Sequence, residues 1–312
     1  MSRFSKVLIT GGAGFIGSHL VDRLLQKGFE VTVFDNLSTG KIKNIESHLH
    51  NSAFHFAEGD VRAYSLLKQH VETVDCAIHL AAVASVPSSV RQPSLAHEVN
   101  ATGTLNLLKA CVESGIKRIL YTSSSAVYGE PSYLPIDEEH PTSPISPLAA
   151  SKLAAEDYCR AFHESHGIET VVFRLFNAYG SRQIAGDEGA VVANFVERLR
   201  KGLPLIVYGN GTQTRDFVHV NDIVEATLLA LENRDARLEI FNIGFGISTP
   251  INELARLVQI AAGSDLRIIF EDSRVGDIKR SHANIEKARK MLGYTPRITL
   301  QEGLKLLLEE NR

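Results

Sequence analysis

Through the first 175 residues, short apolar runs rich in β-branched side chains alternate with longer segments whose apolar residues recur at helical spacing. The runs at 6–9, 30–34, 54–57, 74–80, 118–122 and 169–174 predict strands. They are nearly continuous in apolar residues, which requires cover on both faces and therefore a parallel sheet crossed by helices. After the first run, Ile16, Leu20 and Leu24 repeat at i, i+4 and i+8, while Asp22 and Arg23 take the other side. Five of the ten prolines lie between Gly129 and Ala149, and their fixed φ and missing donors predict a structured loop after the fifth strand. Beyond 175 the pattern is mixed, with helices near 190–201, 221–231, 251–263, 285–292 and 300–310 and strands at 205–207 and 240–243. The expected architecture is α/β: a doubly wound parallel sheet over 1–175 and a smaller C-terminal α/β lobe over 176–312, partly interleaved with it. No flexible linker separates them, so a shared cleft is expected.

Composition narrows the function classes. Hydrophobic residues make up 44% and charged residues 22%, ordinary values for a chain with a sizeable core. The net charge of −3, from 33 Lys+Arg against 36 Asp+Glu, offers no global field to hold nucleic acid or an anionic membrane. No apolar run approaches a membrane span, and the N-terminus enters a strand without the apolar stretch of a secretory leader. Cys76, Cys111 and Cys159 are an odd, widely spaced set in apolar contexts, which predicts free buried thiols and a cytoplasmic protein. The closest histidine pairs, His163 with His166 and His48 with His50, lack a matching ligand set, so no metal site is expected.

Candidate chemistry begins directly after the first strand. Gly11, Gly14 and Gly17 lie in the turn that opens the first helix. There Gly11 permits the tight turn, Gly14 lets a pyrophosphate approach the backbone, and Gly17 lets helix and strand pack. The helix N-terminus adds free N–H groups and partial positive charge. Asp35 ends the second strand 18 residues after Gly17, where an acid reads ribose hydroxyls and repels a 2′-phosphate. Together these predict a dinucleotide-binding (Rossmann) domain that takes NAD. Asp60, in the turn after the third strand, is placed to reach the adenine amine.

The motifs Gly11 to Gly17, Asp35 to Gly40, Gly59-Asp60-Val61, His79 to Ala82, Ser123 to Gly129 and Arg215-Asp216-Phe217 resemble the extended short-chain dehydrogenase/reductase family. Within it, the chain is most similar to bacterial UDP-sugar 4-epimerases. The resemblance covers nearly all of the chain. It implies that Phe15, Ile16, Asn36, Gly40, Val61, Leu80, Ala81, Ala82 and Asn100 join Gly11, Gly14, Asp35 and Asp60 around NAD. It also implies transient oxidation at C4 of a UDP-hexose, with Ser124 bonding O4 and a Tyr–Lys pair four residues apart on one helix. Lys152 is present, with a solvated lysine paired to Glu156 as the plainer alternative. The position of the expected Tyr is Leu148.

Leucine neither takes nor gives a proton, and a placed acid/base is worth roughly 10²–10⁴ in rate. Three readings compete: an engineered substitution that traps a complex, a natural loss that leaves an NAD and sugar-nucleotide binding protein, and a relocated base. Tyr158 is ten residues further on, about 15 Å along a helix, which disfavours relocation. Related dehydratases resemble Thr-Asp-Glu-Val-Tyr-Gly where this chain has Ser125 and Ala126. Without those acids epimerisation is preferred to dehydration, while decarboxylation is a further family alternative.

On the sugar-nucleotide side the resemblance assigns Asn177, Arg215 and Arg274 to the diphosphate, Asp277 to a ribose hydroxyl and Tyr208 to the uridine. Ser281 stands at the position that resembles a gatekeeper for the sugar's C2 substituent, and its small side chain leaves room for an N-acetyl group. With Ser85, in Ala84-Ser85-Val86-Pro87, this makes the chain most similar to UDP-N-acetylglucosamine 4-epimerases. Pairing through helices near 94–114 and 149–166 would make a homodimer.

Overall fold

Alternation along each strand decides which face of the sheet its side chains cover. Val7 and Ile9 enter one apolar cluster with Val31, Val33 and Ile78, while Leu8 enters another with Phe34, Ala77 and Ile119. The computed structural model describes residues 4–186, 189–273 and 278–309. Its first half runs β1 (Lys6–Thr10), α1 (Phe15–Gln26), β2 (Glu30–Asp35), β3 (Phe54–Glu58), α2 (Tyr64–Val71), β4 (Cys76–His79), α3 (Val86–Arg91), α4 (Pro93–His97), α5 (Gly103–Glu113), β5 (Arg118–Ser124), α6 (Pro147–His166) and β6 (Glu169–Leu175). There follow β7 (Asn177–Tyr179), α7 (Val191–Arg200), β8 (Leu205–Tyr208), β9 (Thr214–His219), α8 (Val220–Glu232), β10 (Glu239–Ile243), β11 (Ser248–Pro250), α9 (Ile251–Ala262), β12 (Ile268–Glu271), α10 (Glu286–Leu292) and α11 (Leu300–Glu309).

Among the described residues the main sheet has the order β10-β6-β5-β4-β1-β2-β3, with every pairing parallel. The doubly wound α/β architecture is therefore the one the sequence predicts. Chain order reverses between β1 and β4, and this switch point opens a crevice at the carboxyl edge of the sheet. The last strand, β10, comes from beyond residue 175. Ile223, Val224, Ala230 and Leu231 of α8 likewise join the core that holds Val7 and Ile9 of β1. A third cluster, with Phe195, Val207, Phe217, Leu254 and Leu304, belongs to the C-terminal elements, whose strands form the sheets β11-β9-β7 and β12-β8. No helix among the described residues is long and apolar enough to cross a membrane.

Two segments depart from expectation for local reasons. The fourth strand starts at Cys76 rather than 74, because Asp75 turns its carboxylate back to accept the Ser5 and Lys6 N–H groups at 2.8 and 2.9 Å. The helix expected over 94–114 is interrupted by a π-helical turn, Glu98–Thr102. There the Thr104 hydroxyl donates to the Asn100 carbonyl at 2.5 Å, and hydroxyl groups inserted this way distort the helical ladder.

Candidate active site at the carboxyl edge of the sheet

The turn after β1 is built for close approach. Gly11 has a φ of 74°, and a Cβ there would lie 2.6 Å from the Ala81 nitrogen across the switch point. A Cβ on Gly17 would collide with the Gly11 carbonyl oxygen. Gly14 caps α1 with no side-chain acceptor, and the first bond into the helix is Ser18 N–H to the Gly14 carbonyl at 3.1 Å. The N–H groups of Phe15, Ile16 and Gly17 consequently have no acceptor within the helix. Such a glycine cradle facing an uncapped helix N-terminus fits a dinucleotide diphosphate.

Asp35 stands at the end of β2, 7% exposed, accepting the Ala13 N–H at 2.9 Å and the Leu37 N–H at 2.8 Å. Burial raises its carboxyl above the usual range, and the two N–H donors oppose that shift. Each carboxylate oxygen keeps a lone pair for a further donor. Gly40 lets the following loop pass beside it, since a Cβ there would be 2.9 Å from both oxygens. Asp60 is gripped by Arg62 Nε and Nη2, each at 2.9 Å, and by Asn36 Nδ2 at 2.8 Å. The Arg62 bonds, above all, hold its carboxyl down to about 2. Arg62 also reaches Glu98 at 3.0 Å. Nothing in the sequence signalled that bridge, because Glu98 lies 36 residues further along the chain.

Below the crevice, His79 is fixed in its neutral form. The Thr104 hydroxyl, committed to the Asn100 carbonyl, can only accept from His79 Nε2 at 3.0 Å; Nδ1 then accepts from Thr10 Oγ1 at 2.6 Å. Burial, then the nearby Lys152 charge, lowers its pKa to about 3. Asn100 is an internal staple: Oδ1 accepts the Val83 N–H at 2.8 Å, and Nδ2 donates to the Val83 carbonyl and to Ser151 Oγ. Val61 is buried, and Leu80, Ala81 and Ala82 follow β4 on the far wall of the crevice.

Lys152 is 4% exposed, its ammonium donating to the Thr122 carbonyl at 2.7 Å and lying 5.0 Å over the Tyr121 ring. It is not the solvated partner of Glu156. That carboxylate pairs instead with Arg174 at 2.7 Å, both side chains being buried, and accepts from Ser123 Oγ. Burial lowers Lys152 to about 8, with the Glu156 charge opposing. Ser124 ends β5, accepts the Ala126 N–H at 3.2 Å and retains a hydroxyl proton to donate, whereas Ser123 is committed to Glu156. Leu148 lies in the first turn of α6, one turn before Lys152 and 4% exposed; Ser146 caps the helix, accepting the Ala149 N–H at 3.2 Å.

No other phenol is poised as a substitute among the described residues. Tyr121 packs under Lys152, but burial pushes its hydroxyl well above the ordinary range. Tyr128 donates to Asn242 Oδ1 at 2.7 Å, and Tyr179 to the Thr299 carbonyl at 3.2 Å. Tyr158 is exposed on α6.

Of the residues expected to meet a sugar nucleotide, Asn177 opens β7 directly after β6, and β7 pairs with β9, which carries Arg215. Arg215 is 8% exposed and donates to the Thr214 carbonyl at 2.8 Å. Ser281 is 1% exposed, its N–H on Thr214 Oγ1 at 3.4 Å and its carbonyl accepting from Ser248 Oγ at 3.0 Å. Ser85 caps α3, accepting the Ser88 N–H at 3.2 Å. Tyr208 lines an open cleft of about 700 Å³ with Phe270, Glu271 and Asp272. Arg274 and Asp277 lie outside the described residues. Among the described residues, no group of three or more His, Cys, Asp or Glu side chains could hold a metal ion.

Chain order thus delivers the candidates from separate strands to one edge: Gly11 after β1, Asp35 on β2, Asp60 after β3, Ala81 after β4, Ser124 on β5 and Asn177 after β6. The family model for the NAD dependent epimerase/dehydratase family matches residues 7–244. A putative UDP-glucose 4-epimerase of Methanocaldococcus jannaschii is 40% identical over 301 residues, 96% of each chain. Among solved structures, a UDP-glucose 4-epimerase from Thermotoga maritima with UDP-glucose superposes with a TM-score of 0.93 at 38% identity, covering 98% of both chains. A UDP-N-acetylglucosamine 4-epimerase from Methanobrevibacter ruminantium, in complex with UDP-N-acetylmuramic acid, gives a TM-score of 0.93 at 36% identity, covering 98% of this chain and 97% of that one. With this match over most of its length and a cradle shaped for a dinucleotide, the chain belongs to the NAD-dependent epimerase/dehydratase family of nucleotide-sugar enzymes.

Proposed function

We propose that this protein binds NAD and a UDP-hexose or UDP-N-acetylhexosamine as a 4-epimerase scaffold whose turnover is impaired by Leu148. The observation that carries the reading is α6, which sets a buried leucine one turn before a buried lysine where the chemistry needs a phenol. The glycine cradle, the α1 N-terminus and Asp35 would hold the cofactor, within a unit over 1–175 that is interleaved with a substrate lobe over 176–312. When bound there, NAD supplies a regenerable two-electron oxidant for C4 of the sugar. Ser124 donates to O4, and Lys152 places positive charge beside the reacting end. Leu148 offers no acceptor for the C4 hydroxyl proton, and Tyr121, raised by burial, does not replace it. Arg215 and Asn177 face the diphosphate, and the flat Tyr208 and Phe270 rings suit a uracil better than an anion, given the acids beside them. Ser281 bounds the sugar's C2 side. Ser125 and Ala126 carry no carboxylate, which favours epimerisation over dehydration.

The test compares the parent chain with Leu148→Tyr, after calorimetry has shown NAD and UDP-sugar binding by both. We expect epimerisation of UDP-GlcNAc or UDP-glucose to rise roughly 10²–10⁴-fold in the tyrosine form. Equal turnover in both would mean that another group moves the proton. Binding without turnover of these sugars or of UDP-glucuronic acid in either form would leave a binding protein. Three buried free thiols suit the reducing cytoplasm. A homodimer through α4–α6 would sediment at about twice the 34.2 kDa chain mass.

A further inference from the structure

Asp216 is wholly buried in β9, and no Lys or Arg pairs with it among the described residues. A buried carboxylate without a cation is costly unless donors surround it. Three backbone groups do: Oδ1 accepts the Phe245 N–H at 2.7 Å, and Oδ2 accepts the Gly246 and Ala283 N–H groups at 3.0 Å each. These donors come from two segments remote in sequence, the turn between β10 and β11 and the stretch after residue 278. The approach is close enough to need Gly244, where a Cβ would stand 2.8 Å from Ala283 Cβ and 3.0 Å from Asp216 Oδ1. The second segment is sewn further onto β9. Thr214 N–H donates to the Lys279 carbonyl at 3.0 Å, Thr214 Oγ1 accepts from Ser281 N–H, and Ser248 Oγ donates to the Ser281 carbonyl. Arg215 lies between the two β9 residues that make these ties.

We propose that Asp216 is a positioning residue for sugar-nucleotide binding: by gathering 245–246 and 281–283 onto β9, its carboxylate fixes Ser281 relative to Arg215. The proposal rests on the UDP-sugar reading above. Separating an anchor in the substrate half from general stability calls for two ligands that land on different parts of the chain. The experiment titrates the full chain calorimetrically with NAD, UDP, UDP-glucose and UDP-GlcNAc, in the parent, Asp216→Asn and the double variant Thr214→Val, Ser248→Ala. An asparagine amide cannot accept at both oxygen positions, so Asp216→Asn should lose roughly tenfold or more in UDP-sugar affinity, with NAD affinity within about twofold of the parent. The double variant loosens only the Ser281 backbone. It should change the ratio of UDP-GlcNAc to UDP-glucose affinity by several-fold, leaving UDP and NAD unchanged, and it carries the test if Asp216→Asn does not fold. Parent-like UDP-sugar binding by Asp216→Asn, parallel loss of NAD and UDP-sugar, or an unchanged sugar ratio in the double variant would overturn the proposal alone. A parent chain that binds NAD but no UDP ligand overturns the functional reading and this proposal with it.

Discussion

Lys152 shows how one residue's environment sets its chemistry. It is buried at the base of α6, where its ammonium donates to the Thr122 carbonyl and lies over the Tyr121 ring. A charge in such a place opposes folding, and the sign follows from linkage. The folded pKa, about 8, lies below the ordinary 10.5, so the unfolded chain holds more protons between these values and unfolding free energy rises with pH across that window. The stabilising share is complete above about 10.5 and is lost as pH falls through about 8. We expect Lys152→Met, which retains the packing volume, to remove this slope in urea unfolding measured from pH 7.5 to 10 and to weaken NAD binding. An unchanged slope would place the ammonium in solvent. Asp216 has the opposite sign. Burial pushes it up to about 6, so its contribution weakens stability as pH rises from about 4 to 6, and Asp216→Asn should flatten that part of the profile.

At the scale of the element, α6 and α8 are positioned by contacts that no local propensity contains. The start of α6 is conventional: Ser146 as cap and Pro147 in the first turn. Ser146→Ala should cost about 1 kcal/mol in chemical denaturation, without altering the spacing of Leu148 and Lys152. One turn after Lys152, Glu156 ties α6 to β6 through Arg174, which continues to Tyr128 and thereby to Asn242 on β10. The C-terminus of α8 depends on Arg118, a buried β5 side chain that donates to the carbonyls of Ala230, Leu231 and Asn233 and also reaches Glu169 at 2.9 Å. The last carbonyl oxygens of a helix have no partner within it, and here a buried cation bonds three carbonyls at that end while opposing the negative end of the dipole. Arg118→Met should cost roughly 3 kcal/mol in urea unfolding, because Glu169 and these carbonyls lose their donor together. A loss below about 1 kcal/mol would mean that water replaces the guanidinium.

For the whole molecule, the arrangement is two cores around one sheet and a third beside it. The β10 strand and α8 belong to the second half of the sequence yet complete the first core, so the halves share packing. Elements that share a core unfold together. A single transition, coincident by circular dichroism and fluorescence, is expected, and NAD should raise its midpoint for the entire chain. The three cysteines lie in the two sheet cores, and burial raises all three thiols. A thiol reagent should find none of them in the native protein and all three after denaturation; rapid labelling of the native chain would show that the cores open readily.

Periodicity alone predicted the parallel strands and helices, because a strand covered on both faces leaves an apolar run that little else produces. Glycine spacing and the strand-end Asp35 predicted the cofactor cradle, since both depend on backbone constraints within about 30 residues of chain. Their failures were equally local in cause: Asp75 delays the start of β4 to Cys76, and Thr104 distorts a helix that looked continuous. Other features depend on residues far apart in the chain and had no sequence signal. Arg62 bridging to Glu98, the neutral tautomer of His79, Glu156 choosing Arg174 over Lys152, and the three donors on Asp216 are of this kind. The sequence specified which side chains exist and on which face of which element they lie, because those follow from hydrogen bonding and solvent along one stretch of chain. Which charges are paired, which are stranded in the core, and which loops meet at the sheet edge were decided by packing, because burial and distance are properties of neighbours that the chain supplies from elsewhere.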